Sequence, residues 1–347
     1  MAIRESGSLR SVSQRLHISL CLAVLAFLAG CGGSNGTTET SGTSGETALS
    51  GTGGGFKIVT TTGMVTDIVA VVAGDRATVT GLVGEGVDPH LFTAGRNDVR
   101  RLLEADIVFF SGLLLEGRIA EDLGRVRKKG KPVIEVTTAI EKSYLRTPPE
   151  FEGHPDPHVW MDVSAWSKCV SEVARAMAEF DPPNKAEYEK NAADYLAKLT
   201  DLDQYIRERV ATIPESQRYL ITAHDAFGYF AKAYGIKVKA IQGISTESEA
   251  GISDITELID FIVENQVPSI FVESSVSSKN ITAVIEGCAA KGFELTIGGE
   301  LYSDAMGAPG TYEGTYIGMM DHNATTVARS LGGEAPEQGW QKKLTVH

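Results

Sequence analysis

The fold is decided by the stretch at residues 184–213, which reads NKAEYEKNAADYLAKLTDLDQYIRERVATI. Prolines bracket it at Pro182, Pro183 and Pro214, where a helix cannot continue undisturbed. Its apolar side chains recur at the three- and four-residue spacing of one helix face, at Tyr188, Ala192, Tyr195, Leu199, Leu202, Ile206 and Val210. An unbroken helix here would measure about 45 Å at 1.5 Å per residue. We predict one long helix that ties together the regions on its two sides; the alternative is a covering helix of one region only.

Strand and helix signals alternate on both sides of this helix. Before it, we predict short strands at 57–61, 77–82, 107–111 and 133–136, separated by helices at 64–72, 98–104 and 119–128. After it, we predict strands at 219–222, 238–241, 269–272 and 294–297, with helices at 226–234, 254–265, 280–291 and 315–330. Such alternation is typical of parallel sheets covered by helices. The predicted fold is therefore α/β, with two parallel-sheet lobes of about four strands each.

The predicted domain boundaries follow from these patterns. The N-terminal lobe spans 56–183, the connecting helix 184–213 and the C-terminal lobe 214–347. Helices are expected on both faces of each sheet.

Composition narrows the classes of function. The chain has 347 residues, of which 42% are hydrophobic and 22% charged, so it can bury a core. Its formal net charge of -13 argues against a nucleic-acid partner, whose phosphates it would repel. It has four cysteines, two of them within the first 31 residues. A multi-disulfide framework or a four-cysteine zinc site in the folded part is therefore excluded.

The N-terminal segment has the pattern of a targeting signal. Residues 1–30 carry three arginines followed by an apolar run at 18–28 that is too short to span a bilayer. The run ends in Leu28-Ala29-Gly30-Cys31, which looks like a bacterial lipobox, so we predict cleavage before Cys31 and its lipidation. Plain secretion with a free cysteine is the alternative. The Gly-, Ser- and Thr-rich segment that follows, 31–55, is predicted to be a flexible tether.

Four side chains that can bind metal follow predicted strands or stiff turns. His90 and His158 each end an Asp-Pro-His tripeptide, in which proline stiffens the loop. His224 and Asp304 follow strands of the second lobe. Ligands of open α/β sheets bind outside the carboxyl ends of the strands, so two donors from each lobe are expected to meet. Three imidazoles and a carboxylate suit a divalent transition metal better than calcium.

Six motifs, in this order, resemble the zinc- and manganese-type solute-binding lipoproteins of bacterial ABC importers. They are Val87-Asp88-Pro89-His90; Ala105-Asp106-Ile107-Val108-Phe109 with Gly112 and Leu115-Glu116; Asp156-Pro157-His158-Val159-Trp160-Met161-Asp162; Ala223-His224-Asp225-Ala226-Phe227-Gly228-Tyr229-Phe230; Phe271-Val272-Glu273-Ser274-Ser275; and Tyr302-Ser303-Asp304-Ala305. Together they cover the chain from residue 56 to the last predicted helix.

This resemblance implies two four-stranded lobes, a single connecting helix and one metal ion per chain between the lobes. It places His90, His158, His224 and Asp304 on the metal, which would be transported cargo, Zn²⁺ or Mn²⁺. Members of the family with glutamate at the third ligand position tend to bind manganese, and this chain has His224 there. The implied partners are a membrane permease and, through Cys31, the membrane itself, which gives an extracytoplasmic, lipid-anchored and monomeric receptor without enzymatic activity.

Several other residues are given structural roles. His154 is expected in a solvated loop and His322 in a packing or surface position. Asp162 could orient a ligand histidine or cap the following helix, and Glu273 could form a salt bridge or a cap. Two buried, unpaired thiols are expected at Cys169 and Cys288; the alternative is a disulfide between the lobes.

Two other classes of function compete with a metal receptor. Three histidines also serve zinc hydrolases, but there the fourth position stays open, whereas here Asp304 would fill it. From residue 56 on, the sequence also lacks a His-Glu-x-x-His motif and a nucleophile elbow. A siderophore or cobalamin receptor of similar build would need a wide aromatic or basic cleft instead of four donors for a small ion.

Overall fold

The computed structural model describes residues 48–49 and 55–345. The predicted signal peptide at 1–30 and the lipidation site Cys31 lie outside the described residues, as does most of the predicted tether. Within the described part of the chain, every helix is too short or too polar to cross a bilayer.

The N-terminal lobe is built on one sheet. Its strands are β1 (Ala48–Leu49), β2 (Phe56–Thr60), β3 (Ala77–Gly81), β4 (Ile107–Phe110) and β5 (Val133–Glu135). They lie in the order β1-β3-β2-β4-β5, and all neighbours are parallel except β1, which runs antiparallel to β3. The four predicted strands are therefore confirmed, and the short edge strand β1, which falls in the predicted tether, is an addition that the sequence did not indicate.

Helices cover both faces of this sheet. They are α1 (Gly63–Ala73), α2 (Arg96–Glu104), α3 (Ala120–Lys128) and α4 (Val163–Phe180). Successive strand residues point to opposite faces. Ile58 accordingly joins the core formed with α1 and α4, whereas Val59 joins a second cluster with Leu102 of α2 and Leu123 of α3.

The connecting helix α5 (Lys185–Ala211) is the longest element. It has 27 residues, or about 40 Å, and buries the whole predicted apolar stripe from Tyr188 to Val210. It contacts α1 and α4 of the N-terminal lobe and two helices of the C-terminal lobe, α6 (Gly228–Tyr234) and α9 (Tyr316–Ser330). The prediction of a helix that ties two lobes together is confirmed, and the alternative of a one-lobe cover is wrong.

The C-terminal lobe repeats the α/β plan. Its strands are β6 (Tyr219–His224), β7 (Lys237–Gln242), β8 (Ser269–Glu273) and β9 (Thr296–Leu301). Its remaining helices are α7 (Ile252–Asn265) and α8 (Lys279–Ala290). β6-β7 and β8-β9 form two parallel two-stranded sheets. Because β6 lies beside β8, the four strands are placed in the order β7, β6, β8, β9.

Two strands run at least two residues beyond their predicted ends. We predicted the last strand at 294–297, but β9 runs to Leu301. Its centre contains Gly298 and Gly299, which hide the apolar alternation, and Gly299 has a φ of 146°. A Cβ on Gly298 would lie 2.7 Å from the Phe271 ring, so the strand needs glycine where the sequence looks like a turn. Strand β6 likewise runs on to His224, which was expected just beyond its end.

One hydrophobic core runs through both lobes and the connecting helix. It includes Trp166 of α4, Leu199 of α5, and Tyr316 and Met319 of α9, all fully buried. The Tyr316 hydroxyl donates a hydrogen bond to the backbone oxygen of Trp160, 2.7 Å away. The two lobes therefore share one packed core. This packing holds the sheet edge of one lobe opposite that of the other.

Candidate metal centre

The structure brings the four predicted donor residues together in one cluster. His90 lies in the loop after β3, His158 in the loop before α4, His224 at the last position of β6, and Asp304 just beyond β9. One potential ligand atom from each residue falls within 4.8 Å of the other three. All four are buried, with 5% or less of each residue exposed. A cluster of this size matches a single ion.

Distances within the cluster are those of groups that face a common point. The Nε2 atoms of His90 and His158 are 3.3 Å apart. The Asp304 carboxylate lies 3.6 Å from Nε2 of His90, 3.3 Å from Nε2 of His158 and 3.1 Å from Nε2 of His224. Every imidazole therefore presents the same nitrogen, Nε2, to the carboxylate.

Three of these buried atoms make no hydrogen bond. They are Nε2 of His224 and both carboxylate oxygens of Asp304. Without an ion, the Asp304 carboxylate faces the imidazoles at ion-pair distances, in a geometry that makes no hydrogen bond. A cation at the point on which the atoms converge would use all of them. Three nitrogens and one oxygen are ligands that zinc and neighbouring transition metals accept in four-coordinate sites.

Two of the imidazoles are oriented by carboxylates at their other nitrogen. Nδ1 of His158 lies 2.8 Å from Oδ1 of Asp156, and Nδ1 of His224 lies 2.5 Å from Oε2 of Glu273. Each carboxylate also accepts the backbone N–H of the same histidine, at 3.0 Å and 2.9 Å. A carboxylate at Nδ1 fixes the tautomer that leaves Nε2 free for a metal.

Asp156 is itself held from both lobes. The Arg146 guanidinium donates to its Oδ2, and the Tyr229 hydroxyl of α6 donates to its backbone oxygen at 3.0 Å. Gly228 allows this arrangement, because a Cβ there would overlap the Arg146 guanidinium. The support behind His158 therefore reaches from the N-terminal lobe to the first turn of α6.

Burial and charge shift the pKa values of the cluster in opposite directions. Burial lowers the pKa of His90 to about 3, so this ring is neutral. For His158, burial also lowers the pKa, but the negative charges of Asp304 and Asp156 outweigh it and raise the pKa to about 9. Glu273 and Asp304 likewise outweigh burial and hold the pKa of His224 well above its usual value. The two charged imidazoles in turn keep the pKa of Asp304 well below its usual value, against the effect of burial.

The other singled-out residues lie away from the cluster or support it. His154 is exposed beside Phe151, and Nε2 of His322 lies 2.9 Å from the backbone oxygen of Glu300. Asp162 caps α4 by accepting the N–H groups of Ser164 and Ala165, which decides between its two suggested roles. Cys169 and Cys288 are free buried thiols, as predicted.

Sequence reasoning missed the support that Asp88 and Asp156 give to the histidines, and it described Glu273 only as a salt-bridge or capping residue. It explained the repeated Asp-Pro-His tripeptide by its proline alone, whereas each aspartate accepts the backbone N–H of the histidine two residues later. An aspartate followed by a turn is a known local hydrogen-bonding signal, so Asp88 and Asp156 could have been found. The role of Glu273 is harder to predict from the sequence than that of Asp88 or Asp156, because its partner His224 lies on a different strand.

Comparisons with known proteins identify the family of the chain and several of its relatives. The chain matches the protein family described as ZnuA, zinc-uptake complex component A, periplasmic, over residues 58–330. It is 42% identical over 319 residues to the manganese-binding lipoprotein MntA of Bacillus subtilis (strain 168), a match that covers 92% of this chain and 99% of that protein. It is 43% identical over 274 residues to the zinc-binding protein TroA of Treponema pallidum (strain Nichols), covering 79% of this chain and 88% of that protein.

A solved structure shows the same fold. The periplasmic zinc binding protein TroA from Treponema pallidum superposes on this chain with a TM-score of 0.78 and 42% sequence identity. The match covers 80% of this chain and 99% of that one.

Proposed function

The chain belongs to the ZnuA family, the metal-binding substrate-binding proteins of ABC importers, and we propose that His90, His158, His224 and Asp304 are the four ligands of its cargo ion. The observation that carries this proposal is the convergence of four buried donor residues, one of which, Asp304, has two carboxylate oxygens without a hydrogen bond. One Zn²⁺ or Mn²⁺ per chain would satisfy them.

The competing functions fit the site less well. A hydrolytic zinc needs an open position for water, whereas Asp304 supplies a fourth donor at the same point as the three imidazoles. A siderophore or cobalamin receptor needs contact with a large ligand, but the four donor residues are at most 5% exposed. We therefore propose a transport receptor without enzymatic activity, in keeping with the family.

Capture and release follow from the origin of the ligands. His90 and His158 belong to the N-terminal lobe, and His224 and Asp304 to the C-terminal lobe. Binding by one pair and completion by the other would close the site over the ion, and separation of the lobes by the permease would divide the ligand set again. A monomer suffices, because all four ligands come from one chain.

We expect zinc to bind more tightly than manganese in vitro. Three imidazoles and one carboxylate suit zinc, which also stands well above manganese in the Irving–Williams order. The relatives bear the names of both metals, so the proposal leaves open whether the physiological cargo is zinc or manganese. Protein purified without added metal should contain one transition-metal ion per chain by elemental analysis, and competition titrations should rank zinc first.

In this proposal, His224 determines how much more tightly the site binds zinc than manganese. Its substitution His224→Glu replaces a nitrogen with a hard oxygen and should narrow the ratio of zinc to manganese affinity. A wild-type protein that prefers manganese, or an unchanged ratio in the variant, would refute the assignment.

We also propose that Cys31 carries the lipid anchor. The residue lies outside the described part of the chain, and the proposal rests on Leu28-Ala29-Gly30-Cys31 and on the lipoprotein names of several relatives. Mass spectrometry of protein from its native membrane should find acyl chains on Cys31, and Cys31→Ser should move the protein to the soluble fraction. More than one chain is needed, because a single acyl chain anchors only marginally. An unmodified N-terminus within the tether would contradict the proposal.

A further inference from the structure

The two lobes also touch beside the metal centre, between two loops without helix or strand. The N-terminal loop at 82–95 carries His90, and the C-terminal loop at 243–251 joins β7 to α7. The Thr246 hydroxyl donates a hydrogen bond to Oδ2 of Asp88, 2.5 Å away. Next to it, Nε of Arg118 lies 2.9 Å from Oε1 of Glu247.

Asp88 connects this contact to His90. Its second oxygen, Oδ1, accepts the backbone N–H of His90 at 2.8 Å. The residue between them is Pro89, whose ring fixes φ and leaves the turn little freedom. One carboxylate therefore holds the His90 turn with one oxygen and the opposite lobe with the other.

The other two imidazoles are supported differently. His158 and His224 each have a carboxylate at Nδ1, supplied by Asp156 and Glu273 of their own lobe. Among the described residues, none donates to or accepts from Nδ1 of His90. The position of His90 thus depends on its backbone turn, and the Asp88 carboxylate of that turn also contacts the opposite lobe.

We propose that Thr246 is a positioning residue for metal binding, whose hydroxyl acts through Asp88 to hold His90 at the ion. This inference rests on the proposed ligand set and extends it to a residue that does not touch the metal. It makes the completion of the site dependent on lobe closure. The Arg118–Glu247 pair contributes less, because both side chains are well exposed and such ion pairs are weak.

The test compares three substitutions by zinc release into a chelator. Thr246→Val keeps the shape but removes the hydroxyl, and zinc should dissociate roughly tenfold faster than from wild type, as for other residues that support metal ligands. Thr246→Ser keeps the hydroxyl and should release zinc at the wild-type rate. The matched control Thr256→Val removes an exposed hydroxyl from α7 of the same lobe and should also behave as wild type.

Cobalt spectra separate positioning from a general loss of structure. The visible absorption of Co²⁺-loaded Thr246→Val should shift toward that of Co²⁺-loaded His90→Ala, whereas the metal-free variant should melt at the wild-type temperature. Wild-type release from Thr246→Val, or equal release from the Val and Ser variants, would overturn the role of Thr246 alone. Wild-type zinc affinity in His90→Ala would show that His90 is not a ligand and would overturn this inference.

Discussion

Replacing Asp304 with alanine should weaken zinc binding more than about a hundredfold. A four-ligand structural zinc site is worth about 10–16 kcal/mol, so an equal share per ligand is about 3 kcal/mol, and each 1.4 kcal/mol is a factor of ten in Kd. Asp304 should have the largest effect, because it supplies the negative charge that all three imidazoles face. Calorimetric titration with Zn²⁺ measures the loss directly.

Alanine at position 90, 158 or 224 should give losses of the same order while leaving the fold intact. Far-UV circular dichroism and the melting temperature of the metal-free variants check the fold. The matched control is His154→Ala, because His154 is an exposed histidine only four residues from His158. If two of the four ligand variants bound zinc as tightly as wild type, the ligand set would be wrong.

The sequence predicts the elements well where one physical signal dominates. The stripe from Tyr188 to Val210 predicts α5 because a helix must bury one face to be stable. Strands buried on both faces, such as β4 with its run of Ile107 to Phe110, stand out as apolar runs. Apolar runs do not predict the full length of strand β9. Its Gly298 is required by the nearby Phe271 ring, and this tertiary contact is not visible in the local sequence.

The donor residues are visible in the sequence, whereas the groups that orient them are only partly visible. Asp156 stands two residues before His158, so local turn chemistry could have revealed it. Glu273 meets His224 only because β8 lies beside β6, and Thr246 meets Asp88 only because the lobes close on each other. Such pairings depend on strand order and lobe packing, which one sequence does not display.

Zinc binding at pH 7 should release about two protons and strengthen as the pH rises to about 9. In the metal-free protein His158, with a pKa of about 9, and His224, with a pKa well above its usual value, both carry a proton at pH 7. Each must lose the Nε2 proton before the nitrogen can bind a metal. His90 contributes no proton because its pKa is about 3, and Asp304 is already ionised because its pKa is lowered.

Zinc affinity should rise with pH because protons and zinc compete for the same imidazole nitrogens. Every proton displaced makes the apparent affinity rise by up to about tenfold per pH unit, so two protons give up to about a hundredfold per unit below pH 9 and a shallower rise above it.

Calorimetry at pH 7 in two buffers with different heats of protonation counts the protons. Glu273→Gln removes one of the two charges that keep His224 protonated, so the count should fall toward one, whereas His154→Ala should leave it unchanged. An affinity that stays constant between pH 7 and pH 9 would show that the imidazoles are neutral before the metal arrives, and that the carboxylates behind them orient the rings without charging them.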